Sequence, residues 1–470
     1  MKVSAGRWIH CATGKASQLR GERWNMSNYP WTTRINTIQH VFIFLLGALA
    51  VGIAATYQPV VSIATVCLLL LLAVSIHHPE RISYAVLLST AVSVDSLYQG
   101  GVFGIEILSL YKLGILALLV PCMLVYGIRL KFSYPVWALV IMLGITFGFS
   151  AWLPLLTTSI AVKAFVGLSL PFFFLLIQWK KDVAEKHIRL ISLLPIISVV
   201  IGLGLQVLGL HSFTDVEFTG AVRVQGANIP PHLAMLSFLG IAVSLIEVKR
   251  KPKQAAFYYT VLALNFLILI ATGTRGPILA LLLMFAVYLF DIARQYLKGK
   301  VNYLLPLAGS FLVALGAVAL QWNNLKKRSF ERETDTGIDL SGRSEAWEYF
   351  LNRVHDYPWS GRGLGAVTVA NDGTLFNGFV VPHNEYIRFY FDTGYIGCGL
   401  LMLSLLIVFA LIYRSLAKSI KPYFASLIAG FLIYSFSDNT LSTVQMIIPF
   451  CWYLNALYQT STQTDFRKEK

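Results

Sequence analysis

Charge is the first thing this chain has little of. Only 13% of its 470 residues are Asp, Glu, Lys or Arg, against about 25% in a soluble domain. Acidic residues are scarcer than basic ones, 23 against 38, for a net charge of +15. Cysteine is also sparse. Cys11, Cys67, Cys122, Cys398 and Cys451 are scattered, four of them in or beside apolar runs. That pattern excludes a disulfide framework and zinc-ligand spacing. No Walker lysine motif occurs. The glycine-rich run Gly361-Arg362-Gly363-Leu364-Gly365 lacks the strand before it and the helix after it that a nucleotide fingerprint requires. The clustered carboxylates Glu331, Glu333, Asp335 and Asp339 read as a solvated stretch rather than a cation site. No metal and no cofactor are therefore expected. Residues 1–37 have no apolar core, so no cleavable signal peptide is expected, and Met26 offers an alternative start.

What fills the chain is apolar sequence, 56% of all residues. It comes in runs near 41–56, 60–76, 83–97, 105–127, 134–152, 159–178, 189–209, 232–248, 255–271, 277–292, 303–320, 395–413, 422–436 and 443–458. Each approaches the ~20 residues that a helix needs to cross a bilayer. The expected fold is an all-α polytopic membrane protein of about 12–14 spans with one long, partly helical loop facing outward. The divisions are a basic leader (1–37), a helix bundle (38–320), the polar loop (321–394), further spanning helices (395–460) and a short tail (461–470).

In a membrane protein, basic excess marks topology before it marks nucleic acid. Arg129 with Lys131, Lys180 with Lys181, Lys249-Arg250-Lys251, Arg294 with Lys298, and Arg414 with Lys418 alternate onto one side. That side is the expected cytoplasmic face, and both termini join it. The long loop, the loop 210–231 and the hinge 272–276 then face outward. All three carry arginine against the rule: Arg343 and Arg362, Arg223, and Arg275.

These arginines define the candidate site. Arg275 sits in Thr272-Gly273-Thr274-Arg275-Gly276-Pro277, at the start of a helix. Helix amino termini and guanidinium groups both suit phosphate oxygens; the plain alternative is a snorkelling anchor. Arg223 precedes the turn Asn228-Ile229-Pro230-Pro231 and could complete a bidentate diphosphate clamp. Its plain alternative is a solvated loop residue. Ser341 can cap a helix from Gly342 to His355, with Ala346, Trp347, Phe350, Leu351 and Val354 as its apolar stripe. Arg343 lies in its first turn. Arg362 lies in a close-packed glycine turn. His383, followed by Asn384, opens the next helix, which stops at Gly394. Its imidazole can serve as a general base or simply pack. His232 is the rival base.

The combined pattern resembles the O-antigen ligase and O-antigen polymerase superfamily. It rests on Ser341-Gly342-Arg343 with Trp347, on Pro358, Gly361, Gly363 and Gly365, on His383-Asn384, and on Gly394-Tyr395-Ile396-Gly397. Thr274-Arg275 and Arg223 fall where that superfamily has arginines. The resemblance implies a GT-C-type glycosyltransferase that uses an undecaprenyl-diphosphate-linked oligosaccharide at the outer face of the bacterial inner membrane, without metal. The acceptor would be lipid A-core or a second lipid-linked glycan. It implies His383 as base, Arg223 and Arg275 on the diphosphate, and Arg343, Arg362 and Asn384 as further substrate contacts. Two rivals remain: a transporter or flippase for a lipid-linked or anionic substrate, and a non-catalytic scaffold. Convergence of Arg223, Arg275 and His383 on one outward cavity favours an enzyme. A midplane site favours transport, and dispersal favours a scaffold.

Overall fold

A computed structural model describes residues 78–97, 101–102, 105–149, 158–217, 220–299, 343–371 and 380–465, with single positions elsewhere. The leader, the expected spans at 41–56, 60–76 and 303–320, the acidic stretch 331–339 and Ser341-Gly342 lie outside the described residues. The described part is almost entirely helical. In chain order it contains α1 (Pro79–Ser89), α2 (Val94–Leu97), α3 (Ile107–Tyr126), α4 (Tyr134–Phe149), α5 (Thr158–Leu176), α6 (Lys181–Val207) and α7 (Pro230–Arg250). Then follow α8 (Ala255–Ala271), α9 (Arg275–Leu297), α10 (Arg343–Val354), α11 (Glu385–Ser415), α12 (Lys421–Ser435) and α13 (Val444–Asp465). Strand is limited to short hairpins, such as Thr214–Val216 against Val222–Val224. Among the described residues, seven helices are long and apolar enough to cross a membrane. The protein is an all-α, multi-pass membrane protein.

The core is built around α7, whose spanning window is 89% buried, against 28–50% for the other six. It packs on α6, α8, α9, α12 and α13. A helix that is apolar all round belongs in the middle of a bundle, because only there does every face find a neighbour. Small residues let the elements approach. A Cβ on Gly202 of α6 would lie 2.2 Å from the Gly226 carbonyl carbon, so the loop 225–228 lies directly on that helix. Buried polar groups are paired across helices. Trp452 Nε1 donates to His187 Nδ1 (3.1 Å), which leaves the His187 Nε2 proton for Ser83 Oγ (2.8 Å). Ser83 in turn donates to the Glu80 carbonyl.

The two ends of the bundle differ in chemistry. At one end, Arg250 Nη1 and Nη2 grip Glu185 (2.7 and 2.6 Å) and its Nε donates to Glu247 (2.8 and 2.9 Å). Lys249 pairs with Asp291, which also accepts from Tyr423 Oη. Arg129 donates to Gln459 near the end of α13. The short basic loops thus gather where α7 and α13 end, and the candidate site lies where those helices begin.

One expected span is corrected. The run 83–97 does not form a single spanning helix: α1 stops at Ser89. Thr90 Oγ1 turns back to the Leu87 carbonyl (2.6 Å). The Ala91 carbonyl and the Ser93 amide are then taken by Asn228 Nδ2 (2.7 Å) and the Ala227 carbonyl (3.0 Å). The loop after the hairpin therefore claims backbone groups that a continuous helix would have used. Gly202→Ala tests this seam. Its methyl has no room without moving residues 226–227, and overpacking of this kind costs about 1–3 kcal/mol. A lowered melting temperature of the detergent-purified protein is expected; an unchanged one contradicts the seam.

Candidate active site

Arg223, Arg275, Arg343 and His383 arrive at one end of the bundle on separate elements. Arg223 leaves the second strand of the hairpin and is 8% exposed. Its Nε donates to the Thr272 carbonyl (2.8 Å) and its Nη2 to Thr274 Oγ1 (3.1 Å), while Nη1 lies 3.6 Å from Glu217. It therefore holds the hinge from which Arg275 starts α9. Gly273 gives that hinge its turn with φ 64°. Gly276, one residue past Arg275, has no space for a Cβ: it would meet Ser437 Oγ at 2.7 Å and the Tyr434 ring at 3.2 Å. The arginine hinge is thus pressed against the turn between α12 and α13.

That turn carries Asp438, which is 5% exposed. Asp438 Oδ1 lies 3.3 Å from His383 Nδ1 and accepts the Asn439 amide proton at 2.9 Å. The Asn439 side-chain nitrogen also approaches His383 Nδ1 at 3.3 Å. Burial by itself would raise the Asp438 carboxyl. The hydrogen bond and charge of His383, the charge of Arg343 and the Asn439 amide hold it below the ordinary carboxylate range instead. A carboxylate at Nδ1 fixes the neutral imidazole with its proton on Nδ1 and its basic lone pair on Nε2.

His383 is the one described non-glycine residue with positive φ, at 48°. Histidine is among the residue types enriched there, and such geometry persists only when neighbours enforce it. The neighbours are identifiable. Trp347 Nε1 donates to the Pro382 carbonyl (2.7 Å), and its ring meets Phe436 at 5.2 Å. Asn384 Oδ1 caps α11 through the amides of Tyr386 (3.0 Å) and Ile387 (3.2 Å). Glu385 Oε1 accepts from the amides of Leu441 (2.7 Å) and Ser442 (3.0 Å), tying the Asp438 turn to the same helix start.

The structure therefore brings together His383, Arg275, Arg223 and Arg343. Arg343 opens α10, and both it and Arg223 act electrostatically on Tyr434 beside Asp438. Asn384 lies here too, as a helix cap, with its Nδ2 buried and unbonded among the described residues. Arg362 is placed differently. Its Nε donates to the Arg353 carbonyl (2.9 Å), it lies 3.3 Å from Asp356, and it stacks on Tyr357, so it closes the end of α10. The glycine turn around it packs on the break in α11, as a close-packed turn rather than a phosphate cradle. Among the described residues, no three His, Cys, Asp or Glu side chains gather as metal ligands. The alternative base, His232, begins α7 and lies within electrostatic reach of His383 and Asp438. Asp438, Glu385 and Ser93 were missed from sequence. Asp438 had a signal: it is the acid in the polar break Ser437-Asp438-Asn439-Thr440 between two apolar runs.

The site and fold together define a polytopic membrane protein with a histidine–carboxylate pair and an arginine hinge gathered at one end of its bundle. Residues 260–402, from within α8 through the break in α11, match the O-antigen ligase family model, and this match supports a likeness of this part of the chain to the O-antigen ligase and polymerase superfamily. A comparison with curated proteins gives no match. Arg223→Lys tests the hinge. It keeps the charge but not the fork that serves Thr272 and Thr274 together. Charged hydrogen bonds are worth about 1.5–3 kcal/mol, so the variant should melt well below the wild type. Wild-type stability would detach Arg223 from the hinge.

Proposed function

We propose that the protein is a GT-C-type, inverting glycosyltransferase. It transfers an undecaprenyl-diphosphate-linked oligosaccharide to a glycan hydroxyl at the outer face of the bacterial inner membrane. The acceptor is lipid A-core for a ligase, or a second lipid-linked glycan for a polymerase. The observation that carries this reading is the contact of Gly276 with Ser437, which sets the arginine hinge beside the His383–Asp438 pair.

The acceptor hydroxyl attacks the anomeric carbon, and His383 Nε2 takes its proton. The bond between that carbon and the diphosphate oxygen breaks as the new glycosidic bond forms. The electron pair leaves with the lipid diphosphate, whose charge Arg275 meets at the head of α9. Arg223 sets the hinge and adds positive charge. Arg343 supplies a further cation to the same end, and Asn384 holds the start of the helix behind His383. No step needs a metal. The arginines and the histidine gather at one end of the helices rather than midway along them, which favours transfer over transport.

Protein in nanodiscs, given lipid-linked donor with lipid A-core and a second donor glycan as competing acceptors, should make a glycosidic product in the presence of EDTA. Movement of donor between leaflets without product would favour the flippase. His383→Ala should lose ~10²–10⁴ of the rate, the usual share of a general base, and still bind donor. Arg275→Ala should lose donor binding, with poor rescue by Arg275→Lys; full activity in Arg275→Ala reduces the residue to an anchor.

A substitution at Asp438 gives a sharper check. Asp438→Asn keeps the shape of the side chain but loses the carboxylate that faces His383 Nδ1 at 3.3 Å. The variant should lose much of the rate while donor binding stays at the wild-type level, because the carboxylate serves the base and not the diphosphate. A wild-type rate in Asp438→Asn, or a loss of donor binding in its place, means that Asp438 and His383 do not act as a pair.

A further inference from the structure

The polar network behind the site fixes one more group. Asn228 Nδ2 donates to the Ala91 carbonyl (2.7 Å) and Ser198 Oγ (2.6 Å), so the amide is oriented with Oδ1 as acceptor. Ser93 Oγ donates its single proton to that Oδ1 at 2.8 Å. Gln445 Nε2, which also reaches the Val92 carbonyl, donates to Ser93 Oγ at 3.1 Å. The remaining contact of Ser93 Oγ is His232 Nδ1 at 2.8 Å. A hydroxyl has one proton to give and two lone pairs. The proton is spent, so His232 must be the donor: its proton sits on Nδ1.

The ring's other nitrogen follows. A free imidazole is mostly neutral above about pH 7, and the first turn of α7, at the positive end of the helix dipole, opposes a cation. Nε2 therefore carries a lone pair. Among the described residues it has no hydrogen-bond partner. His232 is half-buried and stands within electrostatic reach of His383, Asp438 and Asp95. We propose that His232 Nε2 accepts a hydrogen bond from a hydroxyl of the transferring or receiving sugar, as a second, substrate-binding histidine beside the base. An imidazole lone pair attracts O–H and repels phosphate oxygen, so its ligand is a sugar hydroxyl rather than the diphosphate. This rests on the glycosyl-transfer reading above.

The test separates the two nitrogens. In ¹⁵N-histidine-labelled protein in nanodiscs, the resonances that vanish in His232→Asn should show a protonated Nδ1 and a bare Nε2. The bare nitrogen should shift when lipid A-core oligosaccharide or a lipid-linked glycan is added. The opposite tautomer, or no shift with either, overturns the proposal. In turnover, His232→Asn keeps an amide donor near Ser93 but has nothing at the Nε2 position. It should keep the wild-type melting temperature and lose about tenfold in kcat/KM, the size of one hydrogen bond. His232→Gln, whose amide oxygen reaches the Nε2 position, should recover part of the loss. Wild-type kcat/KM in His232→Asn, or equal loss in both variants with lowered melting temperatures, overturns it. Absence of turnover in the wild type would refute glycosyl transfer, while the tautomer and the sugar-induced shift would still decide His232.

Discussion

A helix cannot break inside a membrane bundle unless the backbone groups it frees find partners, because the surroundings offer no water. The break at Gly394 in α11, with φ 62° and ψ −165°, is where this protein meets that constraint. The turn 358–365 answers it from both sides. Tyr395 and Ile396 donate to the carbonyls of Pro358 (2.9 Å) and Trp359 (3.3 Å). The carbonyls of Phe391 and Asp392 accept from Arg362 (2.8 Å) and Gly363 (2.7 Å). The Asp392 carboxylate then receives the amides of Gly365 (3.0 Å) and Val367 (2.8 Å). Gly361 must be glycine because its Cβ would fall 2.4 Å from the Thr393 nitrogen.

From that seam the site is assembled outward. Phe350 and Val354 of α10 pack with Val367 and Phe391, so the amphipathic helix is seated on the broken one. Seated there, α10 places Trp347 on the Pro382 carbonyl and Arg343 near Asp438. The short segment of α11 before Gly394 carries His383 at its head and Glu385 on the Asp438 turn. On the far side, Arg223 and Gly276 hold the hinge against the same turn. His383 and Arg223 are held by contacts between elements distant in sequence.

That distance explains what could be read in advance. Span length and apolar runs located most of the helices, because the bilayer imposes those directly. The stop at Gly394 was legible from the glycine, and the amphipathic period of 343–354 was legible from Ala346, Phe350 and Val354. The motif glycines could be read as a tight turn but not as the partner of a helix break, since that depends on a contact across the fold. The same limit hid the fate of 83–97, where Asn228 takes the carbonyl of Ala91. It also hid the capping role of Arg362 and the pairing of Asp438 with His383. Arginines out of place by the positive-inside pattern, Arg223, Arg275 and Arg343, do gather at one end of the helices. The basic loops, gathered around Arg250 and Glu185 at the opposite end, provide the contrast.

The central claim is that the hinge 272–276 and the head of α11 form one site for a lipid diphosphate and its sugar. Cryo-electron microscopy of the full chain in nanodiscs with undecaprenyl diphosphate tests it directly. The account predicts diphosphate density within hydrogen-bond distance of Arg275, on the side of the hinge that faces His383. Density among Lys249, Arg250 and Lys251 at the other end, or midway along α7, would contradict it.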